Sequence, residues 1–430
     1  MRVLVIGSGG REHALCWKIA RSPLCEELYC APGNAGIAQE AELLALTPGD
    51  SSAVLAACRE LSVDLVVVGP EQPLVDGLAD VLRTEGIAVF GPTAAGARLE
   101  GSKSFAKDFM VRHGIPTAAA HVFDDGDALM EHLESCRLPT VVKADGLAAG
   151  KGVLVCTTRE QALDAGRLMA QERRFGEASD RVVVEEFLMG EEATVLALVD
   201  GDTVVPLQAS QDHKRRFDGD MGPNTGGMGA YTPVPAVSSA LMERVCREVL
   251  QPAASGLVAE GMPYQGLLYA GLMLCADGPR VIEFNCRFGD PEAQPLLMAL
   301  DSDLLPLLDA TARGQLASAE PPRWYEGAVL CVVLVSGGYP GAYPKGLPIS
   351  GLGLQQPDED VVVFHAGTLD DGSGEVLTAG GRVLGVTARG TSLDVARDRA
   401  YAQVSSIDWD GMDYRTDIAV RALRSNQRDR

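Results

Sequence analysis

The stretch Val281-Ile282-Glu283-Phe284-Asn285-Cys286-Arg287-Phe288-Gly289-Asp290-Pro291-Glu292 opens as a strand and closes in a turn dense with charge. Side chains alternate along a strand, so Glu283 and Asn285 face the same way, and Arg287 falls next on that face if the strand continues. A carboxylate and an amide oxygen side by side suit a hard divalent cation bridging nucleotide phosphates. A buried polar face without metal is the plainer alternative. The segment predicts a strand that presents chemistry at its end.

Upstream, three more segments carry the same kind of information. Thr140-Val141-Val142-Lys143 reads as a strand with a lysine at its end; Asp145-Gly146-Leu147-Ala148-Ala149-Gly150-Lys151-Gly152 follows, then the apolar run Val153 to Val155. Two strands joined by a small-residue loop flanked by lysines would make a lid for polyphosphate, because small residues let backbone amides approach phosphate oxygens. It is not a Walker A loop, which would need Ser or Thr at position 152; an ordinary glycine hairpin is the competing reading. Arg181 to Leu188 reads as a strand ending in Glu185, Glu186, Phe187 and Leu188, with Glu191 and Glu192 just beyond. Such an end can pair with a base and hold ribose hydroxyls, or be a solvated edge strand. The run from Gln211-Asp212-His213-Lys214-Arg215 to Pro223-Asn224-Thr225-Gly226-Gly227-Met228-Gly229 reads as a long functional loop for an anionic substrate.

Before these lies a region of different texture. Val3-Leu4-Val5-Ile6, a run near Leu28, Leu65-Val66-Val67-Val68 and Ile87-Ala88-Val89-Phe90 are short apolar strands separated by helical stretches. That alternation indicates a parallel sheet covered on both faces. The turn Gly7-Ser8-Gly9-Gly10-Arg11-Glu12-His13 invites a dinucleotide reading, but Glu12 stands where the fingerprint needs glycine and the second strand ends without an acid. Nicotinamide binding is therefore rejected. Backbone amides at a helix start still favour a phosphate, with a structural turn as the alternative. Ser102 reads as the N-cap of a helix with Phe105, Phe109 and Met110 on one face, ending before Gly114.

The 430 residues carry 59 acidic and 37 basic side chains, a net charge of −22, which argues against a general polyanion binder and leaves room for a local basic pocket. Apolar runs are too short for a membrane helix, and the N-terminus is no secretory signal. Ten cysteines without paired spacing read as free thiols in a reducing cytoplasm. At 45.3 kDa the chain suggests about three domains.

Taken together, GSGGREHA, EGSKSFAKDF, KADGLAAGKGV, EEFLMGEE, QDHKR, GPNTGGMGAY, IEFNCRFGDPEAQ and GGYPG resemble the ATP-grasp superfamily, and within it the phosphoribosylamine–glycine ligase family. The motifs stand in that family's order over nearly the whole chain. The resemblance implies an α/β and α+β multidomain protein: a Rossmann-like N-terminal domain (1–101), an ATP-grasp domain (102–325, with a lid at about 120–190) and a small C-terminal α+β domain (326–430). It implies a reaction of ATP, glycine and 5-phosphoribosylamine in purine synthesis, with Mg²⁺ or Mn²⁺ on Glu283 and Asn285. ATP phosphates would meet Lys103, Lys143 and the loop residues Gly146, Gly150, Lys151 and Gly152. Glu185, Glu186, Phe187 and Leu188 would border adenine, and Glu192 the ribose. The other substrates would meet Gly9, Gly10, Arg11, Glu12 and His13, then Asp212, His213 and Lys214, then Asn224, Thr225, Gly226 and Gly227. Arg287, Lys143 and Asp290 would serve the reacting centre. The strand before Glu283, Gly266 to Leu274, lacks the second acidic metal ligand that many superfamily members place there. Another ATP-grasp ligase or carboxylase, or a non-catalytic nucleotide sensor, are the competing readings. No membrane, nucleic-acid or obligate protein partner is implied.

Overall fold

A computed structural model describes residues 1–148, 152–172, 174, 176–353 and 359–428. The N-terminal sheet contains β1 (Arg2–Gly7), β2 (Glu27–Pro32), β3 (Glu42–Leu43), β4 (Leu65–Val68) and β5 (Ala88–Phe90). They run in the order β3-β2-β1-β4-β5, all parallel. The unbroken apolar run makes β1 central: Val3, Leu4, Val5 and Ile6 are wholly buried between helices on both faces. Helix α1 (Gly10–Ile19) follows β1 directly.

Helix α2 (Lys103–Arg112) starts the next unit, and Ser102 caps it as its side chain accepts from the Phe105 amide at 3.2 Å. The lid is an antiparallel sheet of β6 (Ala120–Phe123), β7 (Thr140–Ala144), β8 (Val153–Cys156) and β9 (Val182–Glu186), in the order β6-β9-β7-β8. It has a core of its own around Leu129, Leu133, Val142, Met169 and Val184. A unit with its own core is free to move as one body. Gly150 and Lys151, expected in its loop, lie outside the described residues.

The body of the second unit is a sheet of β10 (Glu191–Asp200), β11 (Thr203–Pro206), β16 (Gln265–Cys275) and β17 (Gly278–Asn285), in the order β11-β10-β16-β17. Between β11 and β16 come β12 (Gln211–Asp212), β13 (Arg215–Phe217), β14 (Met221–Asn224) and β15 (Gly229–Thr232). The stretch from Gln211 to Gly229 is thus not the structureless loop its sequence suggested. β13 and β14 form a hairpin that turns at Asp218-Gly219-Asp220, and β12 pairs with β15. Its strands are short and polar, so no apolar alternation marks them, although Asp-Gly is a hairpin signal.

The last sheet joins distant parts of the chain. β18 (Ala328–Val335), β19 (Val361–His365) and β22 (Arg382–Gly390) combine with β12 and β15 in the order β12-β15-β18-β22-β19. The small hairpin β20 (Thr368–Asp370) and β21 (Val376–Thr378) lies beside it, and α3 (Leu393–Val404) packs on β18 and β22. One continuous core runs from Leu4 through Leu268 to Leu330 and Ala396, so these units are fused. All ten cysteines are free thiols. No helix among the described residues is long and apolar enough to cross a membrane.

Candidate active site

Where the N-terminal sheet, the lid, the body sheet and β22 meet lies a cavity of about 400 Å³. Its lining holds seven basic and seven acidic side chains. In a chain of net charge −22 such a balanced lining stands out, because it gathers seven cations in one space.

β17 supplies the centre. Glu283 stands opposite Gly271 and Asn285 opposite Tyr269 on β16, so both polar side chains reach the cavity from one face, as the alternation predicted. Burial would push the Glu283 carboxyl up, but Lys214, Lys143, Lys103 and Arg287 outweigh it and hold it below the usual carboxylate range. Glu283 makes no ion pair within 4.0 Å among the described residues, so its oxygens remain available. Those residues include no cluster of three or more His, Cys, Asp or Glu side chains able to hold a metal. Glu283 and Asn285 offer two hard oxygen donors, which fits a cation that takes its remaining ligands from phosphates and water.

Lysines gather on the lid side. Lys143, at the end of β7, pairs with Glu185 at 2.9 Å and donates to the Ile282 carbonyl at 3.2 Å. Lys103, in the first turn of α2, donates to the Gly146 carbonyl at 3.1 Å. Gly152 also lines the space. Glu185 points back between Lys143 and Lys107, whereas Glu186 pairs with Arg280 at 3.1 Å and Phe187 is exposed beyond the strand end, beside half-buried Leu188. Glu192 reaches the site through Lys214, which it meets at 3.1 Å. Lys214 also pairs with Asp212 at 3.1 Å. Burial, with Glu292 and Glu192 nearby, pushes the Asp212 carboxyl up to about 7 against the pull of Lys214.

Arginines gather on the other side. Arg287 is clamped by Glu71 at 3.1 Å and Glu100 at 2.8 Å, and those two acids raise its guanidinium pKa further despite burial. Asp290 is held by Gln294 at 2.9 Å and Arg382 at 3.2 Å; Arg382 also donates to the Gly226 and Asp290 carbonyls. A Cβ on Gly226 would stand 2.9 Å from the Arg382 guanidinium carbon, so this glycine lets the two touch. Arg11 faces the cavity and donates to the Phe288 carbonyl at 3.1 Å. Its neighbours in the glycine turn do otherwise. Glu12 accepts from the Gly9 amide and from Arg11, so the anion at this helix start is the chain's own carboxylate. Gly10 packs on Gln294, and His13 accepts from the His365 amide at 2.7 Å.

Of the remaining expected residues, Thr225 lines the cavity and its hydroxyl binds the Lys214 carbonyl and the Gly227 amide. Asn224 belongs to the β13–β14 hairpin. His213 is buried against a second cavity beside Arg415, with its imidazole lowered to about 4 by burial and that arginine. Five cavity groups escaped the sequence reading: Glu71, Glu100, Lys107, the hydrogen-bonded pair Tyr269–Glu292 at 2.8 Å, and Arg382. Lys107 had a signal, because it follows Lys103 by four residues on one helical face. Glu71 and Arg382 had none.

The comparisons agree with this architecture. Three family descriptions match end to end: phosphoribosylglycinamide synthetase N domain over 1–100, its ATP-grasp (A) domain over 101–293, and its C domain over 329–421. The chain belongs to the phosphoribosylglycinamide synthetase family. This ligase is 52% identical to the phosphoribosylamine–glycine ligase of Caulobacter vibrioides over 99% of both chains. It is 50% identical to that of Vibrio parahaemolyticus over 99% of this chain and 100% of the other. The crystal structure of phosphoribosylamine–glycine ligase from Thermotoga maritima matches with a TM-score of 0.84 at 35% identity, covering 97% of this chain and 100% of that one. A biotin carboxylase from Campylobacter jejuni, solved as a β,γ-ATP complex, shares the fold at a TM-score of 0.74 but only 14% identity, covering 98% of each chain. The ligase is thus a purine-biosynthetic enzyme of ATP-grasp architecture, not a carboxylase or a bare nucleotide sensor.

Proposed function

We propose that the cavity takes ATP on its lysine side and glycine with 5-phosphoribosylamine on the side of Asp290, Arg287 and Arg11, yielding N1-(5-phosphoribosyl)glycinamide, ADP and phosphate. The observation that carries the reading is the convergence of Lys103, Lys143, Lys214 and Arg287 on Glu283 inside one cavity. A carboxylate is a poor electrophile because its leaving group would be oxide. Transfer of the γ-phosphoryl group to a glycine oxygen makes glycyl phosphate; the ribosylamine nitrogen then attacks the carbonyl and phosphate leaves. Such chemistry asks for positioning and charge neutralisation and needs no covalent nucleophile. Lys103 and Lys143 neutralise phosphate oxygens, and Arg287, fixed by Glu71 and Glu100, presents a rigid guanidinium to the transferring group or the glycine carboxylate. Glu283 and Asn285 would hold Mg²⁺ or Mn²⁺, which when bound supplies further charge neutralisation on the phosphates. The lid excludes water, which would hydrolyse an acyl phosphate. Free thiols and the acidic balance suit a cytoplasmic enzyme that acts on small molecules.

Glycine labelled with ¹⁸O in its carboxylate tests the route. One label should appear in each inorganic phosphate formed during productive turnover. Unlabelled phosphate, or label in AMP with release of pyrophosphate, would reject phosphoryl activation.

A further inference from the structure

Lys107 stands on α2, one turn beyond Lys103, and is buried with 6% of its side chain exposed. Its ammonium lies 3.2 Å from Glu185 Oε1, while Lys143 takes Glu185 Oε2 at 2.9 Å. Lys107 also donates to the Thr117 hydroxyl at 2.7 Å and the Ala118 carbonyl at 3.4 Å, on the segment that enters the lid. Thr117 in turn donates to the Val281 carbonyl at 2.7 Å on β17. One ammonium on a body helix therefore touches the lid's incoming segment and the end of β9, its outgoing strand. Glu185 Oε1 makes no hydrogen bond, so Lys107 is the group that compensates it. Breaking one arm of a buried charge cluster leaves an uncompensated ion, which the structure relieves by moving.

We propose that Lys107 is a positioning residue, a latch that fixes Lys143 through Glu185 across the joint between lid and body and so sets the affinity for ATP. The proposal rests on the reading that Lys143 meets ATP. Without Lys107, Glu185 has only Lys143 to compensate it, and the Lys143 ammonium is drawn away from the cavity. The groups facing Lys107 are Glu185, Lys143, Glu186 and the uncharged Thr117. Burial, assisted by Lys143 and opposed by Glu185, brings its ammonium down to about 8. The latch is therefore charged and engaged below that pH and is released as pH rises through it.

The test is ATP binding by the full chain in excess Mg²⁺, followed calorimetrically from pH 6.5 to 9 without the other substrates. Variants are Lys107→Met, Lys107→Arg, Lys143→Met and the Lys107→Met/Lys143→Met pair. At pH 7 Lys107→Met should bind ATP about tenfold more weakly, and wild type should converge on it by about pH 9. Lys107→Arg should keep its affinity across the range, since arginine stays protonated. The double variant should bind no more weakly than Lys143→Met. Wild-type affinity in Lys107→Met beside a weakened Lys143→Met overturns the latch and spares the nucleotide site, whereas unchanged affinity in both overturns the site reading as well. Additive losses in the double variant also overturn the latch. If Lys107→Met does not fold, the wild type and Lys107→Arg decide: parallel pH profiles overturn the proposal.

Discussion

Glu283 is a carboxylate kept ionised by distant cations with no ion-pair partner of its own among the described residues. Lys214, Lys143, Lys103 and Arg287 supply the field that keeps it charged, so its lone pairs can accept a cation that arrives with phosphate. Glutamine preserves the shape and removes the charge. Glu283→Gln should therefore fold as wild type, while the Mg²⁺ concentration for half-maximal turnover rises by about tenfold or more, one unit of log affinity per ~1.4 kcal/mol. A Mg²⁺ titration of activity reads this directly. An unshifted curve would remove Glu283 from the metal-binding role. Gly271, its cross-strand neighbour, explains why the absence of an acid there was legible: β16 can bring no second carboxylate to that level.

At the scale of elements, one of the lid's attachments to the body runs through the Asp145 carboxylate. Asp145, just beyond β7, accepts from the Ser104 amide at 2.6 Å and the Ser102 hydroxyl at 3.1 Å, and its own carbonyl accepts from the Lys103 amide at 3.0 Å. A lid residue thus caps the start of α2, where free amides and the helix dipole favour a negative charge. Asp145→Ala should cost about 1 kcal/mol in helix capping, whereas Asp145→Asn retains an acceptor and should lose much less. Hydrogen exchange at the Ser104 and Phe105 amides should quicken in the alanine variant, and ATP binding should weaken with it. Unchanged exchange would mean that Ser102 alone holds the cap. Element identities were mostly readable because apolar runs and caps are local: β1, β4, β5 and α2 all lie where the patterns put them. The β13–β14 hairpin escaped because Arg215, Met221 and Asn224 carry no alternating apolar face and its side-chain partners are remote in sequence: Arg216 pairs with Asp413, and Asp220 with Arg415.

For the whole molecule, the active cavity is an assembly of parts separated by up to 371 residues, Arg11 to Arg382. β12 and β15, which carry or flank the Asp212 and Gly226 segments, belong to a sheet completed by β18 and β22. The C-terminal sheet is therefore structural support for the site as well as the source of Arg382. Sequence motifs pointed to Lys103, Lys143, Glu283 and Arg287, which line the cavity, but not to their holders. Glu71, Glu100 and Arg382 act through long-range pairing, and nothing local in their neighbourhoods announces it. Arg382 tests whether this support matters to chemistry. It is the ion-pair partner of Asp290 and binds two backbone carbonyls, one on the Gly226 loop. Arg382→Met keeps much of the packing but removes the ion pair of the buried Asp290 carboxylate, leaving it only the Gln294 bond and the fields of Arg11 and Arg287, a change worth about 3 kcal/mol in buried pairs. Turnover with glycine and ribosylamine should fall by about a hundredfold or more, while ATP, on the lysine side, should bind with little change. Steady-state kinetics beside equilibrium ATP binding separates the two ends of the cavity. Equal losses in both would make Arg382 a support of the whole fold, and undiminished turnover would show that Asp290 does not depend on it.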